Sequence, residues 1–201
     1  GFIVKTTLTF PRDWGLGTSS TLVNNIAQWA AIDAYQLLQN SFSGSGYDIA
    51  NAQHNLPILY QLKNKKPLIK TVDFSPQFSD QLYFVYLNKK QNSKEGIAKY
   101  KENNDDFKNE IHRISEISLE MCSVKSLLDF ERLIEEHEQI IASIIKLKPV
   151  KELLFPDYLG AIKSLGAWGG DFVLVTGNKS TLQYFKEKGY ETILSYSNMV
   201  L

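Results

Sequence analysis

The sequence predicts an α+β fold, and three observations carry that expectation. Runs of strand length recur, either alternating in period two or continuously apolar, at residues 2–10, 82–87 and 172–176. Long stretches with helical spacing of apolar residues lie between them. The two kinds of segment follow one another irregularly rather than as repeated β-α-β units, which argues against a doubly wound parallel sheet. With 201 residues, 43% of them hydrophobic and 22% charged, the chain can bury a real core and is too apolar for a disordered tail.

In chain order, Phe2, Val4, Leu8 and Phe10 fall on one side of a strand that Pro11 ends. A turn-rich stretch follows, and Thr18, Ser19 and Ser20 offer helix N-caps. Leu22, Val23, Ile26, Ala27, Ala30, Ala34, Leu37 and Leu38 then predict one long helix, apolar over most of its girth and so central and buried. Residues 41–46, rich in Ser and Gly, break it, and a helix can start again over residues 47–55. Residues 63–67 read as a solvated turn, and Leu82–Leu87 as a strand. Residues 93–146 read as two or three amphipathic helices with a break near Asn103 and Asn104. Pro149 and Pro156 mark a connector. A short helix is expected over residues 158–165, ending at Gly166, then a strand at 172–176, a helix at 180–188 and a closing strand at 191–196.

Composition narrows the function. Lys+Arg and Asp+Glu both total 22, and a protein that coats nucleic acid would show a basic excess. A small-molecule partner fits better. Cys122 is the single cysteine, so neither an internal disulfide nor a thiolate zinc site is available, and a reducing, cytoplasmic setting is expected. The apolar run Ile140–Ile145 is far shorter than the roughly 20 residues that span a bilayer, so no membrane partner is expected. The chain starts at Gly1, without an initiator Met and already inside a strand. It reads as one that lacks its natural N-terminus, leaving a strand edge uncovered. An uncovered edge is a route to self-association, and pairing into a homodimer would cover it.

Three glycine-bearing segments carry the chemistry. The first, Pro11–Ser20, places Gly15, Leu16 and Gly17 between a strand and a helix that opens with Thr18, Ser19 and Ser20. It is either a well-capped strand–turn–helix junction or a loop whose amides and helix start hold an anion. It is not the Walker pattern, because no Gly-Lys-Ser/Thr follows. In the second, Ser43–Ala50, Gly44 and Gly46 deliver Asp48 to a helix start, as an N-cap or as a carboxylate that accepts a hydroxyl proton. The third, Lys163–Phe172, holds Gly166, Gly169 and Gly170 in five residues, more than a helix C-cap turn requires. His54 reads as a solvated helix residue, and His112 and His137 as surface residues among charged helix positions. No His/Cys/Asp set has metal-site spacing.

Taken in order, the three segments resemble the motifs of the GHMP kinase superfamily, which includes galactokinase, homoserine kinase, mevalonate kinase and phosphomevalonate kinase. The first is similar to its Pro-x-x-x-Gly-Leu-Gly-Ser-Ser loop, with Thr18 for the first Ser. The second resembles its glycine-flanked catalytic Asp in the phosphomevalonate kinase style, and the subgroup named for the residues Gly46-Tyr47-Asp48-Ile49-Ala50. The third is similar to its Gly-Ala-Gly-Gly-Gly motif, with Trp168 for one glycine. The resemblance implies two domains: residues 1–80 as part of a ribosomal-protein-like α/β domain, and 81–201 as a ferredoxin-like domain, with ATP and acceptor between them.

It also implies roles. Gly15, Leu16, Gly17, Thr18, Ser19 and Ser20 would bind the ATP phosphates, with Ser19 a ligand of Mg²⁺, and Asp48 would handle the acceptor hydroxyl. Gly46, Gly166, Ala167, Gly169, Gly170 and Ser93 would lie along the acceptor. The acceptor implied is mevalonate or phosphomevalonate, in isoprenoid precursor synthesis. Two features depart from the pattern. The helix before the second segment reads Tyr35-Gln36-Leu37-Leu38-Gln39, without the acid that often serves Mg²⁺, and Trp168 narrows the third loop. Both favour the rival expectation, a ligand-binding or regulatory protein on the same scaffold. The family's N-terminal segment is absent from the chain, so the chain by itself is expected to be inactive or nearly so.

Overall fold

In the computed structural model, the described residues are 1–42, 44–90, 100, 105–166, 168 and 170–200. The fold is mixed α+β, as expected, and its sheets are antiparallel. Three helices come first: α1 (Thr18–Ala30), α2 (Ala34–Ser41) and α3 (Tyr47–Ala52). A hairpin follows, β1 (Ile58–Lys63) and β2 (Lys66–Thr71). The rest builds a four-stranded sheet. Its first strand is β3 (Leu82–Tyr86), followed by helices α4 (Lys108–Met121), α5 (Leu127–Ile145) and α6 (Val150–Leu154). Then come β4 (Ile162–Ser164), β5 (Phe172–Thr176), α7 (Lys179–Glu187), β6 (Ile193–Ser195) and the short α8 (Tyr196–Met199). The strand order is β4-β5-β3-β6, antiparallel at every step.

The continuous apolar runs of β3 and β5 are explained by cover on both faces. Tyr83, Val85, Val173 and Val175 face one cluster with Phe155, Tyr158 and Phe185. Phe84, Tyr86, Phe172 and Leu174 face the other, with Phe130 and Ile134 of α5. The three N-terminal helices have a separate core of Val23, Ala27, Ala34, Leu38 and Ile49.

Several local expectations are corrected. Residues 2–10 form no strand: among the described residues no neighbour pairs with them, and Phe2 and Ile3 stay exposed. A strand needs a partner ladder for its backbone groups, and this segment has none among the described residues. The single long helix is two. Ala31 turns left-handed (φ 53°), and the Asp33 side chain accepts from the Gln36 amide at 2.8 Å, starting α2. The turn folds α2 back onto α1, so the apolar period continues across a break. Nor is α1 buried all round, since Leu22, Ile26 and Trp29 remain exposed, with Phe2 edge-on to Trp29.

The helix expected at 158–165 is replaced by a three-residue strand. Tyr158 donates its hydroxyl to the Thr176 carbonyl at 2.6 Å, and the Ala161 amide donates to the Thr176 hydroxyl at 2.8 Å. These bonds draw the segment alongside β5, where Lys163 pairs with Leu174. His137 is half-buried rather than superficial, 3.3 Å from the Lys163 ammonium. Beside them Glu138 is buried and accepts from the Ser164 hydroxyl at 2.9 Å, tying α5 to β4. Burial pushes the Lys163 ammonium below its usual pKa, against the pull of Glu138. No helix among the described residues is long and apolar enough to cross a membrane.

Candidate functional site

A cleft of about 350 Å³ gathers residues from all three glycine-bearing segments. Gly15, Leu16 and Gly17 come from the first, Asp48 from the second, and Gly166 and Asp171 from the third. Met199 of α8 closes one side. A larger groove of about 760 Å³, beyond α8, is lined by residues 56–57 and 71–76 with Ser79, Tyr196 and Val200, and holds none of the candidate site residues.

The first segment runs as a 3₁₀ turn, Arg12–Trp14, into α1. Trp14 anchors it, with ring centroids 5.4 Å from Phe172 and 6.3 Å from Tyr86. Gly17 is the N-cap of α1, so no side chain caps the first amides of that helix. A Cβ at Gly17 would meet nothing within 4 Å, which leaves room above the backbone for a ligand. Leu16 packs against the sheet cluster of Phe172. Thr18, Ser19 and Ser20 form the first turn of α1; Ser19 is exposed, and none of the three lines the cleft, whereas Thr21 does.

The second segment holds Asp48 on the first turn of α3. Gly46, its N-cap, is buried under Tyr35, whose ring would lie 2.9 Å from any Cβ there. That close approach excludes larger residues. The Tyr60 hydroxyl donates to the Ser45 carbonyl, and Gln53 donates to Asn24 at 3.0 Å, fixing α3 against its neighbours. Burial raises the Asp48 carboxyl above its ordinary value, partly offset by a hydrogen bond from Tyr47. Tyr47 is itself pushed up to about 12, by burial first and by Asp48 second. His54 turns back to the Ala50 carbonyl at 2.6 Å.

The third segment connects β4 to β5 rather than ending a helix. Its Leu165 amide donates to the Phe172 carbonyl at 3.1 Å. Gly166 lines the cleft, while Gly170 is buried and Trp168 nearly so. Ser43, Ser93, Ala167 and Gly169 lie outside the described residues. The residue that sequence reasoning passed over is Asp171. It directly follows the glycine pair, is nine-tenths buried, and brings a second carboxylate to the cleft. Its position after the glycines was the available signal. The described lining carries Asp48 and Asp171 but no Lys, Arg or His, and no group of three or more His, Cys, Asp or Glu among the described residues could hold a metal.

No protein-family model matches the chain, and no curated protein does. Among solved structures, the chain is similar to the crystal structure of a Lin0012 protein from Listeria innocua, with a TM-score of 0.63 and 17% identity. The match covers 87% of this chain and 63% of that one, so the chain spans under two thirds of its length. At that identity the likeness concerns the fold alone.

Proposed function

We propose that the protein is an ATP-dependent small-molecule kinase of the GHMP type, with mevalonate or phosphomevalonate as the acceptor class. The observation that carries this reading is convergence: three glycine-bearing segments, some 30 and 120 residues apart, border one cleft with Asp48 in it. The strand order of the C-terminal sheet supports it too, since a β-α-β-β-α-β sequence with the first and third strands central is the ferredoxin-like arrangement.

The residues present fit a polyphosphate at the first segment. The backbone at Gly17 is open, and the uncapped amides of α1 offer donors and the positive end of a helix dipole. Mg²⁺ would supply charge neutralisation when bound; it commonly takes only one or two protein ligands beside phosphate and water. Ser19 on the first turn of α1 is the residue proposed for it. Asp48, with its raised carboxyl, would accept the proton of an acceptor hydroxyl. Where the acceptor group is already a phosphate, Asp48 has no such proton to take, and positioning and charge carry the reaction.

One observation favours a second reading, a ligand-binding or regulatory protein without turnover: the described cleft lining holds two carboxylates and no cationic side chain. ATP consumption with a panel of small hydroxyl and phosphate acceptors separates the two. Acceptor-dependent release of ADP is expected. Tight nucleotide-analogue binding with no consumption under any acceptor would favour the second reading.

A further inference from the structure

Asp171 is held in an unusual way. Its backbone lies in the left-handed region (φ 54°), which a residue with a side chain adopts at a cost and which clusters where geometry matters. Two main-chain bonds pin it there: its amide donates to the Lys89 carbonyl at 2.7 Å, and its carbonyl accepts from the Leu87 amide at 2.8 Å. It is thus fixed to the end of the central strand β3, and its carboxylate reaches across to the first segment. A Cβ built on Gly15 would overlap the carboxylate of Asp171. Gly15 itself is left-handed (φ 70°), one residue after Trp14 and two before the N-cap of α1. The two loops therefore meet side chain to backbone, with no space between.

We propose that Asp171 is a positioning residue: its side chain is a wedge, carried by the sheet, that fixes the backbone of the glycine loop at Gly15 and so sets the shape of the anion cradle at Gly17. The functional half of this inference rests on the kinase reading; the structural half does not. Side-chain volume at residue 171 does the work, not the left-handed turn. The two are separable because glycine suits φ 54° better than aspartate. Asp171→Gly keeps or eases the turn while removing the wedge, and Asp171→Asn keeps the wedge without the charge.

The experiment compares the native chain with Asp171→Gly and Asp171→Asn. Amide hydrogen exchange is read over the peptide 11–22, alongside melting temperature and affinity for a fluorescent ATP analogue with Mg²⁺. The Gly variant is expected to melt no lower than the native chain, yet to exchange faster over 11–22 and to bind the analogue about tenfold more weakly, within the roughly 10²-fold penalty for misplacing a group by about 1 Å. The Asn variant is expected to restore both. Unchanged exchange in the Gly variant overturns the proposal. So does an Asn variant as loose as the Gly variant, because charge and not volume would then be responsible. Faster exchange in the Gly variant with unaltered analogue affinity overturns its functional half. Should the native chain bind no nucleotide while the exchange pattern is as expected, the wedge stands and the kinase reading falls.

Discussion

At the scale of single residues, Asp48 and the two glycines of the first loop separate chemistry from architecture. On the kinase reading, Asp48→Asn is expected to keep nucleotide-analogue affinity and to lose about 10²–10⁴-fold in turnover, the usual cost of removing a positioned acid–base group. The same change carries a stability signature. Burial raises the folded-state pKa of Asp48, so the folded chain binds more protons than the unfolded one, and stability falls as pH rises from the ordinary carboxylate range through the raised value. Asn removes that loss. The variant should therefore melt higher than the native chain at about pH 7, with the gain vanishing near about pH 3, where the carboxyl is protonated in both states. A variant less stable than the native chain at neutral pH would show that Asp48 is stabilised as an anion, contrary to its surroundings. Gly15 and Gly17 give a matched pair, since their φ angles are 70° and 69°. An alanine pays the same left-handed cost at either, about 1–2 kcal/mol. Only Gly15→Ala also meets the Asp171 carboxylate, so it should melt lower than Gly17→Ala. Gly17→Val should leave the fold standing and weaken analogue binding in calorimetry, because its branch occupies the open side of the loop.

At the scale of elements, the hairpin between α3 and the sheet shows both what a sequence reveals and what it hides. The turn at residues 63–67 is legible from its charge and its proline. Its strands are not, because β1 and β2 are half exposed and their apolar residues alternate only weakly. The loop proper is Asn64-Lys65, with Lys63 paired to Lys66 and both loop residues left-handed (φ 51° and 61°), the two-residue turn that favours Asn-Gly. Lys65→Gly should accordingly raise stability in denaturant unfolding, because the left-handed cost of about 1–2 kcal/mol that it removes exceeds the roughly 0.4–1 kcal/mol of chain entropy that a glycine adds. A loss would mean that the Lys65 side chain contributes more than its backbone strain costs. The same contrast explains the other misreadings. β3 and β5 are legible because both faces are covered and every residue but Thr176 is apolar or aromatic. β4 is not, because three residues are too few to show a period, and Tyr158, Ala161 and Leu165 fall at helical spacing by coincidence. The α1–α2 break is hidden because Asp33 is the only local sign of a new cap within an unbroken apolar stripe. The glycine segments are legible individually, but their meeting at one cleft is a tertiary fact. So is the carboxylate of Asp171, which acquires its place only when the loop after β4 folds over Gly15.

At the scale of the whole molecule, the question is what joins the N-terminal helices to the sheet. The helices have their own small core, apart from the two clusters that sandwich the sheet. The first glycine loop crosses between them. Trp14 lies against Phe172 and Tyr86, Leu16 packs on the same cluster, and the Tyr86 hydroxyl donates to the Asp13 carbonyl at 3.2 Å. This loop both borders the cleft and helps to hold the two parts together, so cleft geometry and global cooperativity are coupled through one aromatic side chain. Trp14→Ala should expose that coupling. A fully buried aromatic costs about 3–5 kcal/mol on truncation. Trp14 is only half-buried, so a loss of about 2 kcal/mol is the reasonable scale. Its effect should fall unevenly. The sheet keeps both of its covering layers, whereas the helical part loses an anchor. Calorimetry is therefore expected to resolve a broadened or divided transition, with the helices melting first, where the native chain gives one. Trp14→Phe, which retains an aromatic ring against Phe172, should restore most of the cooperativity. Analogue binding should weaken in the Ala variant although no glycine, Asp48 or Asp171 has been altered, because the loop that shapes the cleft has lost its attachment to the sheet. A single sharp transition at nearly the native temperature would show instead that the packing of Leu16 and the bond from Tyr86 to the Asp13 carbonyl are enough to bind the two parts together.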